Sequence, residues 1–283
     1  MTVNAQKNAN AIPGVQLSDG FVIPQLGIGT YQLPNDEAEA IVAAGLELGY
    51  RHIDTASLYK NEEGVGKAVA ASGLDRSDVW VTTKLWHTDH GDPLGGLRAS
   101  LDRLQLDYVD LFLIHWPTPK LGTAWQAWEG LIEARELGLT RSIGVSNFEI
   151  EHLERIIGDT GATPSVNQIE LHPHHQHREL VEYCKQRNIV IESWSPLAQG
   201  RKQLFADPAV ADAAKAHGKS PAQIVLRWHL EKGFVVFPKT ATASRLGENL
   251  DIFDFELTAA EIEAIDALEG LGESSISPYD MNG

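Results

Sequence analysis

A chain of 283 residues with 43% hydrophobic side chains is long enough for one large domain with a substantial core. Its formal net charge of −16 argues against nucleic acid and anionic membranes as partners. The single cysteine, Cys184, excludes an intramolecular disulfide framework and a cysteine-based zinc site, and it fits a reducing compartment. Residues 1–14 contain no signal-peptide core, and no run reaches the roughly 18 apolar residues of a membrane span. We therefore expect a cytoplasmic protein that does not cross a membrane.

The N-terminal part of the chain lies outside any repeating pattern. We expect residues 1–14 to be flexible. Between Val15 and Ile23, the turn sequence Ser18-Asp19-Gly20 stands between apolar flanks, which predicts a β-hairpin. Such a hairpin is well placed to plug the N-terminal mouth of a barrel.

Eight short, apolar, β-branched segments then alternate with amphipathic segments. The predicted strands are Leu26–Thr30, His52–Ala56, Trp80–Lys84, Val109–His115, Ser142–Ser146, Val166–Leu171, Val190–Trp194 and Val235–Pro238. The predicted helices are Asp36–Leu48, Glu62–Ala71, Leu94–Leu104, Thr123–Leu137, Glu149–Ile157, Arg178–Arg187, Pro208–Ala216 with Pro221–Leu230, and Arg245–Leu250. A strand followed by a helix, eight times over, is typical of parallel βαβ units buried on both faces.

The last predicted element follows the eighth repeat. Thr258 with Glu261 three residues later forms a capping-box pattern, which predicts a final helix over Thr258–Leu268. The tail over 270–283 is rich in glycine, serine and proline, and we expect no regular structure there.

Eight parallel units either close into a barrel or stay open. An open dinucleotide-binding sheet requires G-x-G-x-x-G after its first strand, whereas Gly27-Ile28-Gly29-Thr30-Tyr31-Gln32 lacks the third glycine. We therefore predict an α/β fold, a (β/α)8 TIM barrel that forms one domain over 1–283, with an N-terminal β-hairpin plug and extra C-terminal helices.

Polar side chains follow three neighbouring strands of the predicted barrel. Asp54 lies near the end of strand two, and Tyr59 follows in the next loop. Strand three ends in Lys84 and strand four in His115. Because the C-terminal ends of barrel strands share one mouth, we expect these four side chains to converge there.

This set of groups is suited to protonating a carbonyl oxygen. A nearby ammonium lowers the pKa of a phenol from its usual value of about 10, a carboxylate keeps that ammonium in place, and an imidazole orients the carbonyl. Such a site also needs a source of hydride. Each residue taken singly is as well explained by a structural role, such as a buried Asp–Lys pair, but their combination at adjacent strand ends favours catalysis.

At these residues the sequence resembles the aldo-keto reductase superfamily, and the resemblance extends over about 16–268. The matching stretches are Gly49 to Ala56 with Tyr59 and Asn61-Glu62, Thr83-Lys84-Leu85-Trp86, Ile114-His115-Trp116-Pro117, Ile143-Gly144-Val145-Ser146-Asn147, Asn167-Gln168-Ile169-Glu170 and Phe237-Pro238-Lys239. Within the superfamily the chain is most similar to the bacterial 2,5-diketo-D-gluconate reductases.

The resemblance implies a role for each matched residue. Tyr59 would donate the proton, Lys84 would lower its pKa, Asp54 would hold Lys84, and His115 would orient the substrate carbonyl. The nicotinamide of the cofactor would be bound by Ser146, Asn147, Gln168 and Trp194, and the pyrophosphate by a loop containing Leu197, Gln199 and Gly200. The family usually has glycine where Ala198 stands, so this loop departs from the family pattern at that residue.

The segment after strand eight bears on the choice between NADPH and NADH. The resemblance assigns Lys239, Thr240 and Arg245 to phosphate binding, and Glu248 and Asn249 to the adenine. We expect NADPH, because lysine and arginine suit a 2′-phosphate. Thr242 stands where close relatives often carry arginine, so use of NADH stays open. Arg245 on a solvated helix face is the alternative interpretation.

Aromatic residues near the predicted mouth would line the substrate pocket together with His115. They are Tyr31, Trp86 and Trp116; Trp125 is a weaker candidate, because helix packing explains it equally well. The run His172-Pro173-His174-His175-Gln176-His177 has the density of metal ligands. It also resembles an ordinary stretch of the family, and we predict no functional metal.

We expect NADPH-dependent reduction of aldehydes and ketones, with 2,5-diketo-D-gluconate or other small dicarbonyls and keto-sugars as candidate substrates. The alternatives are a broad aldehyde or methylglyoxal reductase, and an alcohol dehydrogenase acting on larger ketones. Two other classes stay open: an NADPH-binding regulatory protein, and an unrelated barrel that binds a phosphorylated ligand at strands seven and eight. The resemblance also implies a monomer.

Overall fold

The structure, a computed structural model, describes residues 12–272 and 276–281. It begins with the predicted hairpin, in which β1 (Gly14–Gln16) pairs antiparallel with β2 (Val22–Pro24). Gly20 in the connecting turn has a φ of 97°, a conformation that glycine adopts without strain. Residues 1–11, which hold most of the segment expected to be flexible, and residues 273–275, 282 and 283 of the expected tail lie outside the described part.

Eight parallel strands follow in chain order, each paired with the next. They are β3 (Ile28–Gly29), β4 (His52–Asp54), β5 (Trp80–Leu85), β6 (Val109–Ile114), β7 (Thr140–Ser146), β8 (Val166–Glu170), β9 (Val190–Trp194) and β10 (Val235–Val236). Parallel bridges pair Leu26 with Val236 and Gly29 with Lys239, so the last strand meets the first. The sheet therefore closes, and the predicted barrel is confirmed.

Helices lie between the barrel strands along the chain, and the last two follow β10. They are α1 (Asn35–Leu48), α2 (Glu62–Ala71), α3 (Pro93–Leu104), α4 (Ala124–Glu136), α5 (Ile150–Thr160), α6 (Arg178–Gln186), α7 (Lys202–Ala206), α8 (Pro208–His217), α9 (Pro221–Glu231), α10 (Ala243–Leu250) and α11 (Ala259–Asp266). The capping box predicted from Thr258 and Glu261 is present at the start of α11. None of the helices in the described part is both long enough and apolar enough to cross a membrane.

The hairpin closes one end of the barrel. Its residues Leu17 and Ile23 are buried in a cluster with barrel side chains, among them Trp80 at the start of β5 and Val166 at the start of β8. The hydroxyl of Ser165 also donates to a carboxylate oxygen of Asp19 in the turn, at 2.6 Å. With the N-terminal mouth plugged in this way, the chemistry of the barrel is left to the C-terminal ends of the strands.

Candidate active site

Three of the four predicted catalytic side chains are in direct contact at the C-terminal mouth. The ammonium of Lys84 on β5 donates to both carboxylate oxygens of Asp54, at 2.7 and 2.8 Å, and to the carbonyl of Thr55, at 3.0 Å. It also lies 3.4 Å from the hydroxyl oxygen of Tyr59, which stands in the short helical turn after β4. The structure thus places one ammonium in contact with both the carboxylate and the phenol.

Burial and nearby charges shift the pKa values of Tyr59 and Lys84 in opposite directions. Burial raises the pKa of Tyr59 to about 12, and the nearby Lys84 ammonium offsets part of that rise. Burial lowers the pKa of Lys84, but Asp54 and Tyr59 outweigh that effect, and the pKa is raised above its usual value. The lysine is therefore charged and the phenol protonated at neutral pH, which is the state that a proton donor requires.

His115 lies directly after β6, on the other side of the phenol. Its ring centroid is 5.6 Å from that of Tyr59 and 5.2 Å from that of Trp86, both in edge-on arrangements. Burial, with Lys84 and His87 adding to it, holds the pKa of His115 well below its usual range. Its Nδ1 atom has no hydrogen-bond partner within the described ranges. A neutral imidazole carries one N–H group, which can donate a hydrogen bond to a carbonyl oxygen.

Two of the predicted pocket aromatics lie beside these residues. The ring of Tyr31, which is 52% exposed, has its centroid 5.0 Å from that of Tyr59. Trp86 packs against His115, as described above, and Trp116 is buried directly after it in the chain. Trp125 instead packs against Phe148 and His152, which agrees with its alternative interpretation as helix packing.

The residues expected to bind nicotinamide form one connected hydrogen-bond network at the ends of β7, β8 and β9. The hydroxyl of Ser146 donates to the carbonyl of Gln168 at 2.8 Å. The amide of Asn147 donates to the carbonyl of His115 at 3.0 Å, and its oxygen accepts from the indole of Trp194 at 2.8 Å. Asn147 has a φ of 63°, a left-handed conformation that asparagine tolerates better than most residues. The network fixes these side chains beside Asp54, Tyr59, Lys84 and His115, which we call the tetrad.

The loop after β9 has an unusual backbone. Ser195, Ala198 and Gln199 all have positive φ, at 53°, 49° and 57°. Three backbone N–H groups donate within the loop itself: that of Ala198 to Ser195 and that of Gly200 to Leu197, both at 2.8 Å, and that of Arg201 to Ala198 at 3.1 Å. Leu197, Gln199 and Gly200, expected to contact the pyrophosphate, belong to this loop. Ala198 occupies a left-handed position, and this explains why a glycine is common there.

Beyond the loop, the segment after β10 carries exposed cations. Lys239 and Arg245 are exposed, and neither has a carboxylate partner in the part of the chain that the structure describes. Thr240 is buried, and its hydroxyl accepts from the backbone N–H of Thr242 at 2.9 Å, just before α10. Glu248 and Asn249 lie near the end of α10, the first exposed and the second buried. These two exposed cations contrast with the net charge of −16 of the whole chain.

The histidine-rich run after β8 forms a tight turn, with His172 bridged to His175. Among the described residues, no three histidine, cysteine, aspartate or glutamate side chains are arranged to hold a metal ion. The carbonyl of His174 instead accepts from the backbone N–H groups of Gly270 and Gly272, at 3.2 and 3.3 Å. The turn therefore anchors the chain that follows α11.

One buried carboxyl next to the site was not among the predicted residues. Glu192 lies within β9, is fully buried, and accepts a hydrogen bond from the side-chain amide of Gln168 at 2.8 Å. The same amide nitrogen donates to Asp54 at 2.9 Å. The sequence signal is a charged side chain within the predicted strand Val190–Trp194, where charged residues are rare unless they are paired.

Comparison with known proteins identifies the family of the chain. A model of the aldo/keto reductase family matches residues 25–269. Methylglyoxal reductase DkgA of Escherichia coli K12 is 51% identical over 255 residues, covering 90% of this chain and 93% of that protein. An aldo-keto reductase of Mycobacterium sp. (strain JLS) is 47% identical over 272 residues, covering 95% and 98% of the two chains.

Solved structures agree with both the fold and the family. A mutant of Gox0644 in complex with NADPH has a TM-score of 0.91 and 42% identity, covering 95% of this chain and 98% of its own. An aldo/keto reductase from Brucella melitensis has a TM-score of 0.88 and 49% identity, covering 91% and 98%. The chain belongs to the aldo/keto reductase family, so the predicted family, barrel fold and oxidoreductase class are confirmed.

Proposed function

We propose that this enzyme reduces aldehydes and ketones to alcohols with NADPH, and that Tyr59 donates the proton. The observation that carries the proposal is the position of Lys84, whose ammonium contacts Asp54 and also lies 3.4 Å from the phenol oxygen. An ammonium in that position stabilises the phenolate that remains after proton donation.

The residues at the mouth fit such a cofactor. Ser146, Asn147 and Gln168 supply hydroxyl and amide groups at adjacent strand ends, as a carboxamide requires. The half-buried Trp194 offers a flat face for the nicotinamide, and we assign the pyrophosphate to the left-handed loop that follows it. Lys239 and Arg245 would hold the 2′-phosphate. NADPH, when bound, supplies the hydride that adds to the carbonyl carbon.

The side chains of the tetrad then have separate tasks. His115, neutral because of its burial, donates a hydrogen bond to the substrate carbonyl and aims its oxygen at Tyr59. Tyr59 transfers its hydroxyl proton to that oxygen, which becomes the hydroxyl group of the alcohol. Lys84 stabilises the resulting phenolate, and Asp54 holds Lys84 in place through two hydrogen bonds. Solvent protons restore the phenol before the next turnover.

We propose small dicarbonyl compounds as substrates, with methylglyoxal as the first to test and 2,5-diketo-D-gluconate as the second. DkgA, at 51% identity, carries the name of a methylglyoxal reductase. The aromatic side chains Tyr31, Trp86 and Trp116 would form the walls of the pocket. Larger ketones are the alternative class. We further propose a single-domain cytoplasmic monomer that accepts NADH less well than NADPH.

The deciding experiment measures NADPH oxidation with a panel of carbonyl compounds and compares the wild type with Tyr59→Phe. We expect the variant to bind NADPH as tightly as the wild type but to lose at least about a hundredfold in kcat, because general acid catalysis is removed. A variant that turns over at the wild-type rate overturns the assignment of Tyr59. A wild type that binds NADPH but does not oxidise it with any compound of the panel supports the alternative of a regulatory protein. Light scattering of the purified chain tests the monomer.

A further inference from the structure

A second carboxyl stands behind the tetrad, inside the barrel. Glu192 is fully buried on β9, where its nearest strand partner on one side is Val235 of β10. On the other side is Gln168 of β8, the residue paired with it in the strand register. Nothing in the proposed reaction uses Glu192 directly, and a buried carboxyl without a role is costly to keep.

The side chain of Gln168 joins this carboxyl to the tetrad. Its Nε2 atom carries two hydrogens, and it lies 2.8 Å from Oε2 of Glu192 and 2.9 Å from Oδ2 of Asp54. Lys84 donates to that same Oδ2 atom of Asp54, at 2.8 Å. A continuous path of short hydrogen bonds therefore leads from Glu192 to the ammonium beside Tyr59.

The surroundings of Glu192 favour its neutral form. Its Oε1 atom has no hydrogen-bond partner within the ranges that the structure describes. Burial, with the repulsion of Asp54 adding to it, raises the pKa of Glu192 to about 8, while Gln168 and Lys84 oppose the rise. The charged groups that act on it are thus Asp54 and Lys84, both of them members of the tetrad.

We propose that Glu192 is a positioning residue, a second carboxyl that acts through the Gln168 amide on the Asp54–Lys84 pair and so sets how readily Tyr59 gives up its proton. The inference rests on the proposed role of Tyr59. When Glu192 is neutral, the Lys84 ammonium acts fully on the phenol. When it is ionised, a further negative charge lies near the pair and opposes formation of the phenolate.

The sign of the effect follows from this arrangement. Glu192 becomes ionised as the pH rises through about 8. Over that range the wild type becomes a weaker proton donor, and its kcat for carbonyl reduction falls. Glu192→Gln keeps an oxygen that accepts from Gln168 and cannot ionise, so this fall is absent. We expect the ratio of variant to wild-type kcat to rise roughly threefold between pH 7 and pH 9.

The experiment measures the pH profile of kcat and, separately, the dissociation constant for NADPH. Both are compared among four proteins. They are the wild type, Glu192→Gln, Glu192→Asp and Ser193→Ala. Glu192→Asp keeps the carboxyl and should retain the fall near pH 8. Ser193→Ala is the matched control, because Ser193 is the next residue on β9, is fully buried and carries no charge. If Glu192→Gln does not fold, Glu192→Met takes its place as the uncharged variant of similar volume.

Two results would overturn the proposal. One is a Glu192→Gln profile that superimposes on the wild-type profile from pH 6 to pH 10. The other is a change in NADPH affinity with an unchanged profile, which would mean that Glu192 only holds Gln168 for the cofactor. A failure of the Tyr59 assignment is recognised separately, because Tyr59→Phe would then remain active whatever Glu192→Gln does.

Discussion

The Nζ atom of Lys84 lies 2.7 Å from Oδ1 and 2.8 Å from Oδ2 of Asp54, so one ammonium faces both oxygens of a buried carboxylate. Lys84 is 0% exposed and Asp54 is 5% exposed. Loss of one partner of a buried ion pair leaves an uncompensated charge, which costs about 3–5 kcal/mol. The pair is thus a structural element of the barrel as well as part of the proposed proton donor.

These two roles can be separated by a double-mutant cycle. We expect Lys84→Met to abolish turnover and to lower the free energy of unfolding by about 3 kcal/mol. The double variant Lys84→Met with Asp54→Leu should recover most of that stability, since no charge is left unpaired, but it should not recover turnover. Urea denaturation and NADPH oxidation measure the two quantities. Turnover restored in the double variant would contradict the role of Lys84 beside Tyr59.

The exposed cations after β10, Lys239 and Arg245, predict a preference for NADPH over NADH. Lys239→Ala and Arg245→Ala should each raise the KM for NADPH about tenfold, because a charge-assisted contact with the 2′-phosphate is worth about 1.4 kcal/mol or more. The KM for NADH, which lacks that phosphate, should change little. Arg98→Ala serves as the control, since Arg98 is exposed on the distant helix α3. Equal changes in both KM values would show that the two residues do not recognise the 2′-phosphate.

The convergence of the proposed catalytic groups could be predicted from the sequence because barrel topology brings strand ends together. Asp54, Lys84 and His115 each lie within one residue of the end of a strand, and the closed sheet leaves those ends one common mouth. The pKa of Tyr59 was less predictable. Lys84 lowers its pKa as expected, but burial raises it by more, and burial depends on the packed structure.

Two other features, helix α7 and the contacts of Glu192, could not be predicted from the sequence. Helix α7 (Lys202–Ala206) has five residues, too few to show a helical period, so only the helices that follow it were predicted in that region. Glu192 could be seen as an unusual residue within β9, but its link to the tetrad depends on the side-chain amide of Gln168. Strand pairing alone does not determine the direction in which that amide points.

The left-handed backbone at Ala198 leads to a stability prediction. With a φ of 49°, its Cβ atom carries a penalty of about 1–2 kcal/mol that glycine does not have. Glycine also loses more chain entropy on folding, so we expect Ala198→Gly to stabilise the protein by about 0.5–1 kcal/mol. Ala211→Gly, within α8, should instead destabilise it by about 1 kcal/mol. Thermal unfolding of the two variants tests this, and a loss of stability at both positions would refute it.

Acid sensitivity is expected from a fully buried histidine at the start of β4. Two polar groups lie within hydrogen-bond distance of the His52 ring: the carbonyl of Pro24, 3.1 Å from Nδ1, and the hydroxyl of Thr82, 3.1 Å from Nε2. A neutral imidazole satisfies both, by donating from Nδ1 and accepting at Nε2. Burial, with Lys84 adding to it, lowers the pKa of His52 from 6.5 to about 3. The folded protein therefore keeps this ring neutral where the unfolded chain protonates it.

Between pH 6.5 and about 3 the unfolded state binds one more proton than the folded state at His52, so stability falls as the pH falls. One such proton corresponds to a slope of about 1.4 kcal/mol per pH unit. We expect His52→Gln, which cannot titrate, to reduce the slope of unfolding free energy between pH 6 and pH 4 by about that amount. Thr82→Ala should lower stability at every pH but keep the slope, because His52 is still present. Urea unfolding at several pH values measures these slopes, and an unchanged slope in His52→Gln would assign the acid sensitivity to other groups.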